Sequence, residues 1–396
     1  MANTLNQIGA VTALNVRSIP SRLGTSLVIV IGIAGVVGVL VALLSMGAGF
    51  AATLGGTGTE ERTIVLRGGS VDELSSVITR EQSQIIGDAP GVARDADGKP
   101  VMVAEFYLLT DVAKPDSTSP NNVVVRGTQS DVARVRPEFR IVEGRMFESG
   151  VREVIIGTGV ARQFETLQLG GTVDVRDGAW NIVGIFDTGG DVHESELWVD
   201  AGALETASRR SAFNSVTLQL KSADAFQTFK DALTTDPRMV VNPQRQTDYY
   251  ASRSEQLHML IRILGYTVAV IMGIGAVFGA LNVMYAAVAT RTVEIATLRA
   301  LGFGGLPVVI SVMIESLLLA LAGGLVGALG AYLFFNGFTV NTLNFQTFSQ
   351  VAFAFQVTPE LIRQGIVWAL VMGLIGGLFP AVRAARLPVV DALRAG

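Results

Sequence analysis

From Leu23 to Phe50 the sequence contains no charged residue. At about 1.5 Å per residue a helix of that length reaches roughly 42 Å, more than the hydrocarbon thickness of a bilayer. This run constrains the fold most, because a backbone surrounded by lipid must satisfy its own hydrogen bonds as a helix. Three further runs repeat the pattern: Ile263–Ala289, Leu306–Phe335 (interrupted only by Glu315) and the shorter Gly365–Val382. The composition agrees. Only 16% of residues are charged and 49% are hydrophobic, with a mean hydropathy of +0.46, against about a quarter charged in soluble domains.

The arginines set an orientation. Arg17, Arg22, Arg291, Arg299, Arg383, Arg386 and Arg394 flank one side of the four spans, and only Arg262 and Arg363 flank the other. The positive-inside rule then puts both termini and the segment 290–305 in the cytoplasm, and 51–260 outside. The apolar run of the first span is too long for a cleaved signal peptide, whose apolar region is about 7–15 residues, and reads as an uncleaved anchor. Before it, Ile8, Ala10, Val11 and Leu14 recur at helical spacing, predicting a short amphipathic helix over 1–22 at the inner leaflet.

The net charge of −4 conceals an asymmetry: residues 51–260 hold 30 acids and 21 bases, the remainder 4 acids and 9 bases. An acidic middle argues against nucleic acid as a partner. With no cysteine there is no disulfide and no thiolate metal site.

The segment 51–260 reads as an α+β domain. Strand patterns lie at Arg62–Gly69, Val101–Leu109, Asn121–Gly127, Thr172–Phe186 (two strands around Asp177-Gly178) and Ser215–Lys221, followed by an amphipathic helix at Ala223–Thr235. Polar turns at 95–100 and 114–122 bracket a piece that reads as an inserted subdomain. From Asp248 the pattern is helical without a break into the second span, which predicts a rigid connector.

Chemistry-bearing motifs are missing. None of the four lysines (Lys99, Lys114, Lys221, Lys230) sits in a phosphate-binding G-x-x-x-x-G-K-[ST] loop, and neither G-x-S-x-G nor H-E-x-x-H occurs. The expectation is a protein with no catalytic residue, no cofactor and no metal of its own. "DVHESE" (Asp191–Glu196) collects hard ligands but lacks a fixed ligand spacing, and reads as a solvated acidic loop; His258 reads as a surface residue. Glu315 is costly inside a span, at roughly 2.5–3.5 kcal/mol if charged, so it calls for a partner or a cavity: a hydrogen bond between helices, which is the favoured reading, or a proton or substrate contact. Three small-residue pairs, Gly275/Gly279, Gly323/Gly327 and Gly373/Gly377, mark close helix packing within the bundle or against a second subunit.

Between the second and third spans stands "TRTVEIATLRALGF" (Thr290–Phe303), too long for a turn. As a helix it puts Glu294, Leu298 and Leu301 on one face and Val293, Thr297 and Ala300 on another, with Gly302 placed to end it. This stretch resembles the coupling segment of the MacB/FtsX/LolC-type ABC transporter permeases, R-x-x-E-I-x-x-L-R-A-L/I-G, at Arg291, Glu294, Ile295, Leu298, Arg299, Ala300, Leu301 and Gly302. "IESLLLALAGGLVGALGA" (Ile314–Ala331) and "PAVRAARLPVVDALR" (Pro380–Arg394) are similar to the family's third span and C-terminal ending, and "EGRMF", "REVIIGTGVARQF" and "WNIVGIF" resemble its periplasmic core.

The resemblance implies a multi-pass protein of the bacterial inner membrane: four transmembrane helices with a large α+β, MacB-like extracytoplasmic domain between the first and second, and a short extracytoplasmic loop at 336–364. It implies two paired copies, each coupling helix docked on a cytoplasmic ABC ATPase that holds ATP and Mg. With 22 residues before the first span, that ATPase is expected on a separate chain. Four functions fit: export with a periplasmic adaptor and outer-membrane channel, which the MacB-like stretches favour; lipoprotein release; control of a cell-wall hydrolase; or, in a different class, a sensor without any ATPase.

Overall fold

The computed structural model describes residues 4–17, 22–112, 121–164, 166–176, 178–343 and 350–389. Two helices open the chain, α1 (Thr4–Arg17) and α2 (Leu23–Gly55). Next come β1 (Arg62–Arg67), α3 (Arg80–Asp88), β2 (Met102–Val112), β3 (Asn121–Thr128), β4 (Arg140–Gly144) and β5 (Glu153–Gly157). They are followed by α4 (Thr158–Gln163), β6 (Thr172–Val175), β7 (Gly178–Asp187), β8 (Glu196–Asp200) and α5 (Ala201–Ser208). After β9 (Ser215–Gln219), α6 (Ala225–Thr234) and β10 (Val241–Arg245) comes the 45-residue α7 (Gln246–Thr290). The chain closes with α8 (Thr292–Ala300), α9 (Gly305–Phe335), β11 (Thr339–Leu343), β12 (Gln350–Ala354) and α10 (Pro359–Ala385).

Four helices, α2, α7, α9 and α10, are long and apolar enough to cross a membrane. The chain is thus an α-helical membrane protein with an α+β domain between its first and second spanning helices. It divides into a helical unit (1–48, 258–338 and 355–396) and a sheet unit (49–257 and 339–354).

The sheet unit is built on ten strands in the order β10-β1-β9-β2-β3-β8-β5-β7-β4, with β6 pairing β7. Most pairings are antiparallel; β3 with β8 and β5 with β7 are parallel. Strand side chains alternate faces, and the two faces here are chemically opposite. Val65, Ala104, Phe106, Val125, Leu197, Val199, Val216 and Leu218 join the main apolar core. The intervening positions, Glu105 and Tyr107 on β2, Arg126 on β3, Glu196 and Trp198 on β8, Ser215 and Thr217 on β9, form the other face and are buried too.

Three expectations are corrected here. The piece between the polar turns is no inserted subdomain, because it is the strand β2, which runs through the middle of the sheet between β9 and β3; most of its second turn, 113–120, lies outside the described residues. The segment 336–364 is more than a short loop: β11 and β12 pair as a hairpin that belongs to the sheet unit, where Val351 and Phe353 are buried and Ser195 Oγ accepts from Ala352 N–H at 2.9 Å. Alternating apolar positions in "QVAFA" signal it, and Phe353 meets Phe50 edge-on. Finally, α10 starts at Pro359, with Thr358 as N-cap and Pro at the first turn, rather than at 365.

In the helical unit, glycines set the packing. A methyl group at Gly323 or Gly327 collides with the α2 backbone at Val30 and Ala34, and one at Gly373 or Gly377 collides with Ala320 or Ser316 of α9. Absence of a side chain is what lets these backbones approach. Around them lies one apolar core that includes Ile33, Val37, Ala320, Ala369 and Met372. Gly275 and Gly279 on α7 differ: a methyl at either meets nothing within 4 Å.

Candidate coupling site

The helix between the second and third spans is shorter than its sequence pattern. Arg291, at φ −106° and ψ 12°, leaves the helical region and separates α7 from α8. The nine residues of α8 end in a Schellman arrangement, in which Gly302 N–H donates to Arg299 O at 3.1 Å and Phe303 N–H to Leu298 O at 3.1 Å. Gly302 takes φ +94°, the left-handed conformation that glycine adopts without penalty.

The break at Arg291 turns its side chain inward. Arg291 is 8% exposed, and its two terminal nitrogens donate to the two carboxylate oxygens of Glu315, each at 3.1 Å. Nη1 also donates to Asn15 Oδ1 at 2.9 Å, and the amide of Asn15 donates to Ser311 Oγ at 2.5 Å. The costly carboxylate of α9 is therefore matched by a forked cation from the neighbouring turn, the geometry that suits a guanidinium and a carboxylate. The same contact ties α1 to the α7–α8 junction and to α9. A cavity of about 20 Å³ lies beside it, lined among others by Val11, Asn15, Arg291, Glu294 and Glu315; that is room for a single water.

The remaining residues of the motif sort by face. Ile295 and Ala296 are buried. Leu298 and Arg299 are half-buried, and Arg299 Nη1 donates to Leu387 O at 2.8 Å, fastening α8 to the segment after α10. Val293, Glu294, Thr297, Ala300, Leu301 and Gly302 are exposed, Leu301 at 73%. Sequence reasoning groups Arg291, Ile295 and Arg299 with the partner contact; within this chain Arg291 and Arg299 bond to Glu315 and Leu387, and Ile295 is buried. The outward face combines one carboxylate with small and apolar side chains.

The acidic loop is also corrected. Asp191, His193, Glu194, Ser195 and Glu196 are all buried, not solvated. Asp191 Oδ2 lies 2.8 Å from His193 Nδ1, Glu194 accepts from Gly190 N–H at 2.6 Å and from Thr158 Oγ1 at 2.7 Å, and Glu196 belongs to a charged network. Among the described residues no group of three or more histidine or acidic side chains is arranged to hold a metal ion. His258 is half-buried and its ring sits against Gly47.

That network escaped sequence reasoning. All five donors of Arg126 are used: on Glu196 at 2.7 and 2.8 Å, on Glu73 at 2.8 and 3.1 Å, and on Glu105 at 3.2 Å. Arg136 forks onto Glu105 at 2.8 and 2.9 Å. Ser215 donates to Glu73, Thr217 to Glu105 and Trp198 Nε1 to Glu196. Burial raises the Glu105 pKa, but the Arg136 and Arg126 charges outweigh it and bring it down to about 2. Burial likewise opposes ionisation of Glu73, and Arg126 overcomes it, leaving that pKa lowered. The first turns of α7 join this side of the unit: Gln246, Tyr249 and Tyr250 are buried, and Tyr250 Oη lies 3.4 Å from His193 Nε2. Glu105 and Tyr107 on β2, and the alternate positions Glu196, Trp198 and Asp200 on β8 and Ser215, Thr217 and Gln219 on β9, were the available signal.

These two halves carry known signatures. Residues 23–236 match the MacB-like periplasmic core domain and residues 266–389 the FtsX-like permease C-terminal domain. The chain belongs to the MacB/FtsX-type family of ABC transporter permeases. It is 26% identical over 281 residues to the uncharacterized ABC transporter permease YknZ of Bacillus subtilis, covering 65% of this chain and 66% of that one. It is 23% identical over 423 residues to the macrolide export ATP-binding/permease protein MacB of Neisseria meningitidis, covering 98% of this chain and 60% of that one. The chain thus spans just under two thirds of these relatives' length. Among solved structures, the extracellular domain of the noncanonic ABC-type transporter YknZ from Gram-positive bacteria is similar at 20% identity and a TM-score of 0.36, over 46% of this chain and 99% of that one. The periplasmic region of MacB from Actinobacillus actinomycetemcomitans is similar at 10% identity and a TM-score of 0.37, over 48% and 92%.

Proposed function

We propose that this permease transmits the ATP-driven motion of a cytoplasmic ABC ATPase, which this sequence does not contain, to its sheet unit, and that the load is an export process served by a periplasmic adaptor and an outer-membrane channel. One observation carries the reading: α8 presents Val293, Glu294, Thr297, Ala300 and Leu301 outward while Arg291 is sealed to Glu315 of a spanning helix. A helix exposed on one side and anchored on the other can pass a push to what it is anchored to. It stands between α7 and α9 in the chain, so both spans receive the motion. The α7 helix begins among the buried groups of the sheet unit, at Gln246 and Tyr250, and runs without interruption to Thr290.

ATP and Mg belong to the partner. The arginine bias supports an inner-membrane protein with both termini in the cytoplasm. The open face of Gly275 and Gly279 suits a second copy of the chain, because close-packing glycines without an intrachain neighbour are free to take an intermolecular one. The export role draws on MacB, whose similarity runs along nearly the whole of this chain.

The test is copurification of the full chain with its cognate ATPase. Glu294→Arg with Leu301→Arg reverses the charge and breaks the apolar contact on the exposed face, and an at least tenfold loss of bound ATPase is expected. Undiminished copurification sinks the coupling reading. Capture of an adaptor by the same preparation separates export from lipoprotein release.

A further inference from the structure

A groove of about 350 Å³ lies at the end of α7 nearest α8, lined by Asn282, Tyr285, Ala286, Val288, Ala289, Thr292, Arg383 and Leu387. We infer that it binds the headgroup of an anionic phospholipid, with Arg383 as the phosphate contact.

Charge points to an anion. Arg383 is exposed and lies over the ring of Tyr285 at 5.4 Å, and among the described residues neither it nor Arg386 one turn on has a carboxylate partner. The neighbouring arginines are already engaged, Arg291 on Glu315 and Arg299 on Leu387 O. No acid lines the groove. Asn282 and Tyr285 supply neutral donors for phosphate or ester oxygens, while the Thr292 hydroxyl is donated to Ala289 O at 2.8 Å.

Surroundings point to a lipid rather than a soluble anion. Ala286, Val288, Ala289 and Leu387 make much of the lining apolar. One and two turns further from α8, Phe278 and Ile274 on α7 and Phe379 and Ile375 on α10 are exposed, at the i−4 and i−8 spacings that continue the groove's own faces. An acyl chain has an apolar path beside the cation. Asn282, about 10 Å above Ala289 along the helix, is exposed within an apolar span, where a polar side chain is costly without a partner. A basic pocket between spanning helices on the cytoplasmic side is a general headgroup site, and the arginine bias places this end there.

The test uses the full chain in nanodiscs of phosphatidylcholine with or without phosphatidylglycerol, followed by native mass spectrometry of retained lipid. Wild type is expected to retain phosphatidylglycerol in preference to phosphatidylcholine. Arg383→Gln is expected to lower that retention about fivefold, the effect of one cation near an anionic surface, and Arg383→Lys to keep it. Should Arg383→Gln fail to purify, Tyr285→Leu, which removes the ring beneath the guanidinium, carries the test with a smaller loss. Retention unchanged in these variants overturns the inference. So does displacement of the lipid by millimolar inorganic phosphate, which marks a soluble-anion site. Loss of ATPase copurification with lipid retention intact marks a protein contact and overturns it equally.

Discussion

Arg126 and Arg291 are both buried arginines on carboxylates, yet their surroundings differ. In the sheet unit Arg126 faces three glutamates, each held by further donors: Ser215 on Glu73, Thr217 and Arg136 on Glu105, Trp198 on Glu196. In the helical unit Arg291 and Glu315 have each other, with Asn15 as the added acceptor. A network locks a face whose charges have nowhere else to go. Beside a small cavity, Glu315 is the one carboxylate that Arg291 meets among the described residues, so one substitution removes its counter-charge.

The difference can be broken from the network side first. Arg126→Met leaves three buried glutamates facing one another, and a loss of about 3–5 kcal/mol is expected, read in urea unfolding followed by the fluorescence of the buried Trp180 and Trp198. A loss under about 1 kcal/mol means that the face is hydrated rather than sealed.

Acid attacks the same network. Glu105 and Glu73 titrate below their ordinary value of 4.5 in the folded protein, Glu105 at about 2. A depressed folded pKa gives stability that is present above the unfolded value and lost as pH falls through the folded one. The sheet unit is therefore expected to weaken from about pH 4.5 down to about 2, by an amount on the order of 3 kcal/mol for Glu105. A flat unfolding profile across that window contradicts the ionised network.

On the helical side, Glu315→Leu strands Arg291 in an apolar core and is expected to cost about 2.5–3.5 kcal/mol. Adding Arg291→Met is expected to recover most of it, since an apolar pair can replace a buried ion pair. Thermal denaturation of the single and double variants in one detergent measures the coupling; simple additivity shows that the pair is not a unit. Smallest is the glycine contrast. Gly327→Ala forces α9 away from Ala34 and is expected to lose about 1–3 kcal/mol, whereas Gly275→Ala is expected to leave the thermal stability of the monomer unchanged.

The helical unit was the more legible in the sequence because lipid leaves the backbone one solution, so uncharged length and arginine flanks write the spans directly. Glu315 announced that it needed a partner, but that partner is Arg291, grouped by its motif with an outward contact; only the break in helical geometry at residue 291 turns it inward. The sheet was less legible. Alternation in Val101–Leu109 and Ser215–Lys221 revealed strands, but burial of their polar face depends on distant elements meeting there, among them Glu73, Arg136 and the opening of α7. Asp191–Glu196 misled for that reason, since its acids look solvated until their partners Thr158, Arg126 and Trp198 are in place.

The hairpin at 339–354 has a consequence for biosynthesis. The sheet unit is discontinuous: its main body ends at residue 257, and its last two strands emerge only after residues 258–338 have been made. Val351 and Phe353 cannot be covered, nor Ser195 find Ala352, until the second and third spans have been translated. Final closure of the domain is thereby deferred until the ribosome has passed the third span, so that a chain arrested earlier leaves an unfinished domain with Ser195 and Phe50 lacking their hairpin neighbours.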